Sequence, residues 1–180
     1  MTTSFRAVAA ILVVAMVGLE VHAQSNPTID AAESATLCAL LQARRDFATA
    51  IEHCNRAIAS DPDDVALLSN RGTAYLSLRD FDRALEDFNG VLAKQPTYGI
   101  GYFNRALVYS AQRRHEQAIE DYSKAIELIP APALAYNNRG YEFERLGDRD
   151  KAIADYRKAL AMAPSLKILE RNLRRLGAEP

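Results

Sequence analysis

The sequence predicts an all-α fold in which antiparallel helical hairpins stack on one another. Prolines recur every 34 residues, at Pro62, Pro96, Pro130 and Pro164. Between these prolines, apolar residues recur three and four positions apart, which is the spacing of an amphipathic helix. No stretch alternates apolar and polar residues as a strand does. A single hairpin cannot bury its apolar face alone, so we expect stability to come from stacking.

The first 23 residues have the build of a secretory signal peptide. Arg6 supplies a positive charge, residues 7–19 are almost wholly apolar, and small residues precede a candidate cleavage point after Ala23. The apolar run is shorter than the ~20 residues that a membrane-spanning helix needs. We therefore expect an exported protein, periplasmic or secreted, with 24–30 as a short tail. An uncleaved membrane anchor is the alternative.

The same landmarks recur within each 34-residue unit, and the clearest copy lies at 133–164. Its landmarks are Tyr136, Arg139, Gly140, Phe143, Ala152, Tyr156, Ala159 and Pro164. This order of aromatic, small and proline positions resembles the tetratricopeptide repeat, a helix–turn–helix unit of ~34 residues. The resemblance implies a right-handed solenoid with a degenerate first repeat at 31–64, followed by repeats at 65–98, 99–132 and 133–164. Residues 165–180 would form a C-terminal capping helix and tail.

The residues argue against catalysis, metal binding and nucleic-acid binding. The chain has three histidines, and no phosphate-binding loop, nucleophile elbow or zinc-ligand spacing appears. A formal charge of −1 gives no electrostatic attraction to nucleic acid. We therefore predict that the protein is not an enzyme, has no cofactor and binds another protein or peptide.

Four asparagines recur in register at Asn70, Asn104, Asn138 and Asn172. The first three precede the small landmark by two residues, which is about 200° around a helix, so they point away from the buried face. They resemble the asparagine ladder that some tetratricopeptide arrays extend along their concave groove. A side-chain amide can both donate to and accept from a peptide backbone. The alternative is that these side chains are solvated or bonded to neighbouring helices.

Other groove positions differ between repeats and would select particular partner side chains. The candidates are Phe103, Leu107 and Tyr141. Related proteins that bind chaperone tails need lysines where this chain has Ile100 and Leu134, which argues against a chaperone-tail receptor. The predicted function is capture of an extended partner segment in the groove. A structural adaptor of an envelope complex, using the convex face or the edges, is the alternative.

Oppositely charged residues also recur, sixteen positions apart within each hairpin. The arginines are Arg71, Arg105 and Arg139, and the aspartates are Asp87, Asp121 and Asp155. The first repeat lacks both members and has Leu37 and His53 instead. This joint presence and absence predicts structural ion pairs, since an arginine fork suits a partly buried carboxylate. Two independent surface preferences are the alternative.

The first repeat contains both cysteines of the chain. Cys38 stands where later repeats have the small landmark, and Cys54 where they have an aromatic residue. Both registers face the interior of one antiparallel hairpin. Because disulfides persist in oxidising compartments, export favours a Cys38–Cys54 bridge. The alternative is a pair of buried thiols.

Overall fold

The computed structural model describes residues 30–179, and the predicted signal peptide lies outside them. The described residues form nine helices and no strand, so the all-α prediction is confirmed. The helices are α1 (Ala31–Ala43), α2 (Phe47–Ser60), α3 (Val65–Ser77), α4 (Phe81–Lys94), α5 (Gly99–Ala111), α6 (His115–Leu128), α7 (Ala133–Arg145), α8 (Arg149–Met162) and α9 (Lys167–Arg175).

The helices stack as consecutive hairpins. Each of α1, α3, α5 and α7, which we call the first helices, packs against the second helix that follows it. Each second helix in turn packs against the next helix along the chain. Neighbouring first helices also touch, α1 with α3 and α3 with α5. This arrangement places the first helices side by side along one face. No helix within 30–179 is long and apolar enough to cross a membrane.

The hairpin turns share an unusual backbone conformation. Arg45, Arg79 and Arg113 have φ of 63°, 63° and 60°, and Gly147 at the same register has φ of 82°. The left-handed region costs residues other than glycine roughly 1–2 kcal/mol. The next residue caps the second helix in three of the four turns, through the side chains of Asp46, Asp80 and Asp148. The turn is therefore set by the same register in every repeat, even where glycine is absent.

The interior of each hairpin depends on close contact between a small residue and a large ring. A Cβ atom added to Gly72 would lie 2.9 Å from the ring of Phe88, and one added to Gly140 would lie 3.0 Å from the ring of Tyr156. In the first repeat Cys38 and Cys54 hold these two registers and form a disulfide, with their Cα atoms 5.0 Å apart. The predicted bridge is therefore present, and both cysteines are fully buried.

The last helix covers the open end of the array. Leu169 and Leu173 of α9 are fully buried, and Leu173 packs in a cluster with Ala152 and Tyr156 of the last hairpin. Most charged residues of α9 are exposed on its other faces, including Lys167 and Arg171, and Ile168 is exposed among them. The helix therefore buries one apolar face and presents a polar surface, as a terminal cap must.

Candidate peptide-binding groove

Each recurrent arginine binds its aspartate with two hydrogen bonds. Arg105 donates from Nε to Oδ2 of Asp121 at 2.7 Å and from Nη2 to Oδ1 at 2.8 Å. The same bidentate geometry joins Arg71 to Asp87 and Arg139 to Asp155. The aspartates are buried, and the hydrogen bonds that Arg105 donates to Asp121 raise the pKa of the Arg105 guanidinium. The structure thus brings together every predicted pair.

Each of these arginines also donates a hydrogen bond to the preceding repeat, a contact that was not predicted from the sequence. Nη1 of Arg105 donates to Oδ1 of Asn89 on α4 at 2.7 Å. The equivalent contacts are Arg71 to Asn55 at 2.7 Å and Arg139 to Ser123 at 2.8 Å. The sequence contains the pattern from which this contact could have been predicted. A polar residue stands sixteen positions before each arginine and recurs every 34 residues, at Asn55, Asn89 and Ser123. The arginines therefore join neighbouring repeats as well as the two helices of one repeat.

Replacing Arg105 with alanine should lower the free energy of unfolding by about 2 kcal/mol, because it leaves the buried Asp121 without its partner. The same change at Arg157, an exposed arginine of α8, should cost less than about 0.5 kcal/mol. Urea unfolding followed by circular dichroism measures both. Equal midpoints for the two variants would show that the Arg105 pair contributes nothing beyond a surface preference.

The asparagine ladder lies on the face formed by the first helices, but its members differ in surroundings. The side chains of Asn70, Asn104 and Asn138 are half-buried. Among the described residues, the side-chain amides of Asn70 and Asn104 have no hydrogen-bond partner. Asn172 is only 6% exposed and lies on α9. The first two members are thus available to a ligand.

The last members of the ladder bond to one another through Asn137. Nδ2 of Asn172 donates to Oδ1 of Asn137 at 3.0 Å, and Nδ2 of Asn137 donates to Oδ1 of Asn138 at 3.0 Å. Asn138 also lies 3.5 Å from the hydroxyl of Tyr122, whose pKa burial raises. Asn172 therefore helps to fix the orientation of the side-chain amides of Asn137 and Asn138 on α7.

The other predicted groove residues lie on α5 and α7. Phe103 is half-buried and meets the ring of Tyr122 edge-on, with centroids 5.7 Å apart. Leu107 is half-buried beside it in the same apolar cluster. Tyr141 is exposed. These three side chains give α5 and α7 a partly exposed apolar and aromatic surface.

A buried polar cluster at the junction of α5, α6 and α7 was not predicted. Glu142 is 1% exposed, and its Oε2 lies 2.6 Å from Nδ1 of His115. The hydroxyl of Ser110 donates to Oε1 of Glu142 at 2.5 Å. Glu142 occupies the position that Val108 and Ala74 occupy in earlier repeats. A glutamate at an otherwise apolar position is the sequence feature from which an unusual buried contact could have been suspected. No group of ligating residues within 30–179 could hold a metal ion.

An apolar cavity of about 400 Å³ opens where α5 and α7 begin. We call it the rim pocket, and the loop between α8 and α9 completes its wall. Every lining side chain is apolar; the lining residues are Ile100, Phe103, Ile129, Ala131, Pro132, Ala133, Leu134, Ala135, Ala163 and Leu166. Of the predicted groove residues, it contains Phe103.

Sequence comparison matches most of the described chain to one repeat family. Models of the tetratricopeptide repeat match residues 37–108, 100–131 and 133–166. No curated protein sequence matches the chain. The hairpins of the structure and the matched units thus coincide over most of 30–179.

Solved structures share the same architecture. TTC0263, a thermophilic TPR protein of Thermus thermophilus, is 27% identical with a TM-score of 0.69, over 81% of this chain and 80% of that one. MamA from Desulfovibrio magneticus RS-1 is 20% identical with a TM-score of 0.75, over 82% and 83%. PilW, a type IV pilus biogenesis factor, is 22% identical with a TM-score of 0.74, over 81% and 68%. At these identities MamA and PilW are similar in fold alone.

Proposed function

Because the chain belongs to the tetratricopeptide-repeat family, whose members are protein–protein interaction scaffolds and typically not catalysts, we propose that it captures an extended segment of a partner protein. The segment binds along the groove formed by α3, α5 and α7. The observation that favours this proposal is the row of amides on adjacent first helices, with Asn70 and Asn104 unpartnered among the described residues.

The spacing of the helices determines how a peptide would meet this row. Packed helices lie ~8–10 Å apart, and an extended peptide advances ~3.3 Å per residue. One asparagine therefore meets about every third peptide residue, whatever that residue is, because the amide pairs with the peptide backbone. Asn70, Asn104 and Asn138 hold a segment of roughly seven residues, and Asn172 fixes the amides of α7. Side chains such as Tyr141 add preference for particular residues.

Changing Asn104 and Asn138 together to alanine should weaken partner binding about tenfold while leaving the helical content unchanged. The loss arises because two backbone contacts of the peptide are removed, each contributing about 0.5–1.5 kcal/mol. The partner is first recovered by pull-down with the mature protein as bait, and its affinity is then measured by isothermal titration calorimetry. Gln95→Ala, an exposed amide at the end of α4, is the matched control. An unchanged affinity in the double variant would favour an adaptor that uses the convex face or the edges.

We also propose that the protein is exported and cleaved after Ala23. The signal-like composition of residues 1–23 and the disulfide both support this proposal, because disulfides persist in oxidising compartments. Intact-mass measurement of the protein from the extracytoplasmic fraction should give a chain that begins at Gln24. Recovery of the full-length chain from the membrane fraction would instead indicate a retained anchor.

A further inference from the structure

The rim pocket lies beside a row of exposed aliphatic side chains. Ile100 is 49% exposed, Leu134 is 57% exposed and Ile168 is 37% exposed. These residues are 34 apart, and the same register holds alanine in the first two repeats, at Ala32 and Ala66. At this register, large exposed apolar side chains are therefore confined to the C-terminal half of the array, where the pocket opens.

The size and lining of the rim pocket suit an apolar side chain and disfavour a polar one. Its volume of about 400 Å³ lies in the roughly 300–1,000 Å³ range of ligand sites. All its lining side chains are apolar, so a charged or amide group placed inside would lose hydrogen bonds to water without replacement. The pocket therefore selects a bulky apolar group.

The groove face carries no negative charge at the registers of Ile100, Phe103, Asn104 and Leu107. None of the residues at these registers on the first helices or on α9 is Asp or Glu, although the chain contains 23 acidic residues. Two are arginines, both on α9. Arg175 is neutralised by two hydrogen bonds to Glu144. Arg171 is exposed and makes no ion pair with any residue of 30–179.

The basic residues of α9 continue the wall of the pocket. Arg171 holds on α9 the register that Phe103 holds on α5, and Lys167 holds the register that Ala133 holds on α7. Both Phe103 and Ala133 line the pocket. Lys167 also lies 3.7 Å from Oε1 of Glu170, whereas Arg171 has no such contact among residues 30–179. A segment that leaves the pocket toward α9 therefore passes from an apolar wall to Arg171, with Lys167 beside it, about three extended residues further on.

We propose that the rim pocket receives a bulky apolar side chain of an acidic peptide segment, whose carboxylates lie about three residues away over Lys167 and Arg171. This inference rests on the proposed groove function and gives the partner its chemistry. The apolar side chain anchors the segment and fixes its register, while the amides of the ladder hold its backbone. The carboxylates set the direction in which the segment runs, because the cations stand at one end of the groove only.

A random dodecapeptide library displayed on phage tests this inference directly. It is selected against the mature wild-type protein and against three variants: Leu134→Ser, Arg171→Glu, and the double change of Asn104 and Asn138 to alanine. Wild-type protein should enrich peptides that place Leu, Ile or Phe about three residues from Asp or Glu. Leu134→Ser should lower the affinity of the best such peptide about tenfold by fluorescence anisotropy. Arg171→Glu should lower it about threefold, and more at low salt.

Leu78→Ser is the matched control, because Leu78 is also a half-exposed leucine but lies at the turn after α3. Circular dichroism verifies that each variant is folded. Enriched peptides without this composition, or binding that survives Leu134→Ser but is lost in the asparagine variant, would overturn the inference and leave the groove function standing. No enriched peptide would overturn both. Concentration-dependent self-association that Leu134→Ser abolishes, seen by sedimentation, would overturn it in favour of a second copy of this chain.

Discussion

Replacing His115 with phenylalanine should lower the free energy of unfolding by about 3 kcal/mol, because the carboxyl group of Glu142 then stays buried without its hydrogen-bond partner on α6. Glu142 is 1% exposed and has two side-chain partners among the described residues, His115 and Ser110. The hydroxyl of Ser110 reaches only Oε1, so Oε2 of Glu142 would be left buried without a partner. Urea unfolding followed by circular dichroism measures the loss.

The repeats themselves supply the matched control for this experiment. Phenylalanine holds the register of His115 in the first two repeats, at Phe47 and Phe81, and valine holds the register of Glu142 at Val108. The free energy of unfolding of the double variant His115→Phe/Glu142→Val should therefore lie within about 1 kcal/mol of the wild-type value or above it, because replacing both partners of a buried polar pair by apolar groups can be nearly neutral. If the double variant lost as much stability as His115→Phe alone, the loss would come from packing, and the explanation by an unsatisfied carboxyl group at Glu142 would be wrong.

Changing both cysteines to alanine should cost about 3 kcal/mol in the free energy of unfolding, since the Cys38–Cys54 bridge closes a loop with a sequence separation of 16. The loss should concentrate in α1 and α2, because each repeat of such an array contacts only its neighbours. Hydrogen exchange should show the amides of these two helices losing protection first.

A variant with Cys38→Gly and Cys54→Phe separates the covalent contribution from packing. It introduces into the first repeat the glycine–ring contact that Gly72 and Phe88 make in the second repeat. It should therefore recover part of the lost free energy of unfolding. Reductant provides a second test. Both cysteines are fully buried, so a thiol reductant should act on the native protein only after the first repeat opens. An alanine variant with the same urea midpoint as oxidised wild type would contradict the stabilising role of the bridge.

The features that recur every 34 residues could be predicted from the sequence. The Arg–Asp pairs and the disulfide both join positions sixteen residues apart in one hairpin, and a constant offset repeated in several units identifies facing residues. The buried cluster could not be found this way. Its contacts join residues 27 and 32 positions apart, across repeats, and no other repeat has an equivalent. A single exception to a pattern identifies an unusual residue and does not identify its partners.

The asparagines illustrate the same limit. Their 34-residue spacing is evident in the sequence, and this spacing alone would predict the same surroundings for Asn172 as for Asn104. In the structure Asn172 lies at the end of the array, where Asn137 accepts its hydrogen bond. Asn137 has Phe103 as its counterpart on α5, so the amide chain depends on a residue that does not recur. The rim pocket likewise depends on loop geometry, which periodicity does not describe.

Within residues 30–179, the arginines of the Arg–Asp pairs hydrogen-bond to the preceding repeat and not to the following one. Deleting repeats from the two ends of the array should therefore have different effects on stability. Deleting repeats from the C-terminal end removes each arginine together with its aspartate and leaves only an exposed amide or hydroxyl such as Asn89. Deleting repeats from the N-terminal end leaves an arginine whose third donor has lost Asn55 or its equivalent. The same guanidinium joins the two helices of one repeat and also binds the repeat before it. We therefore expect unfolding to be more cooperative than in an array whose interfaces are purely apolar, and shortened versions to tolerate loss of their last repeat better than loss of their first.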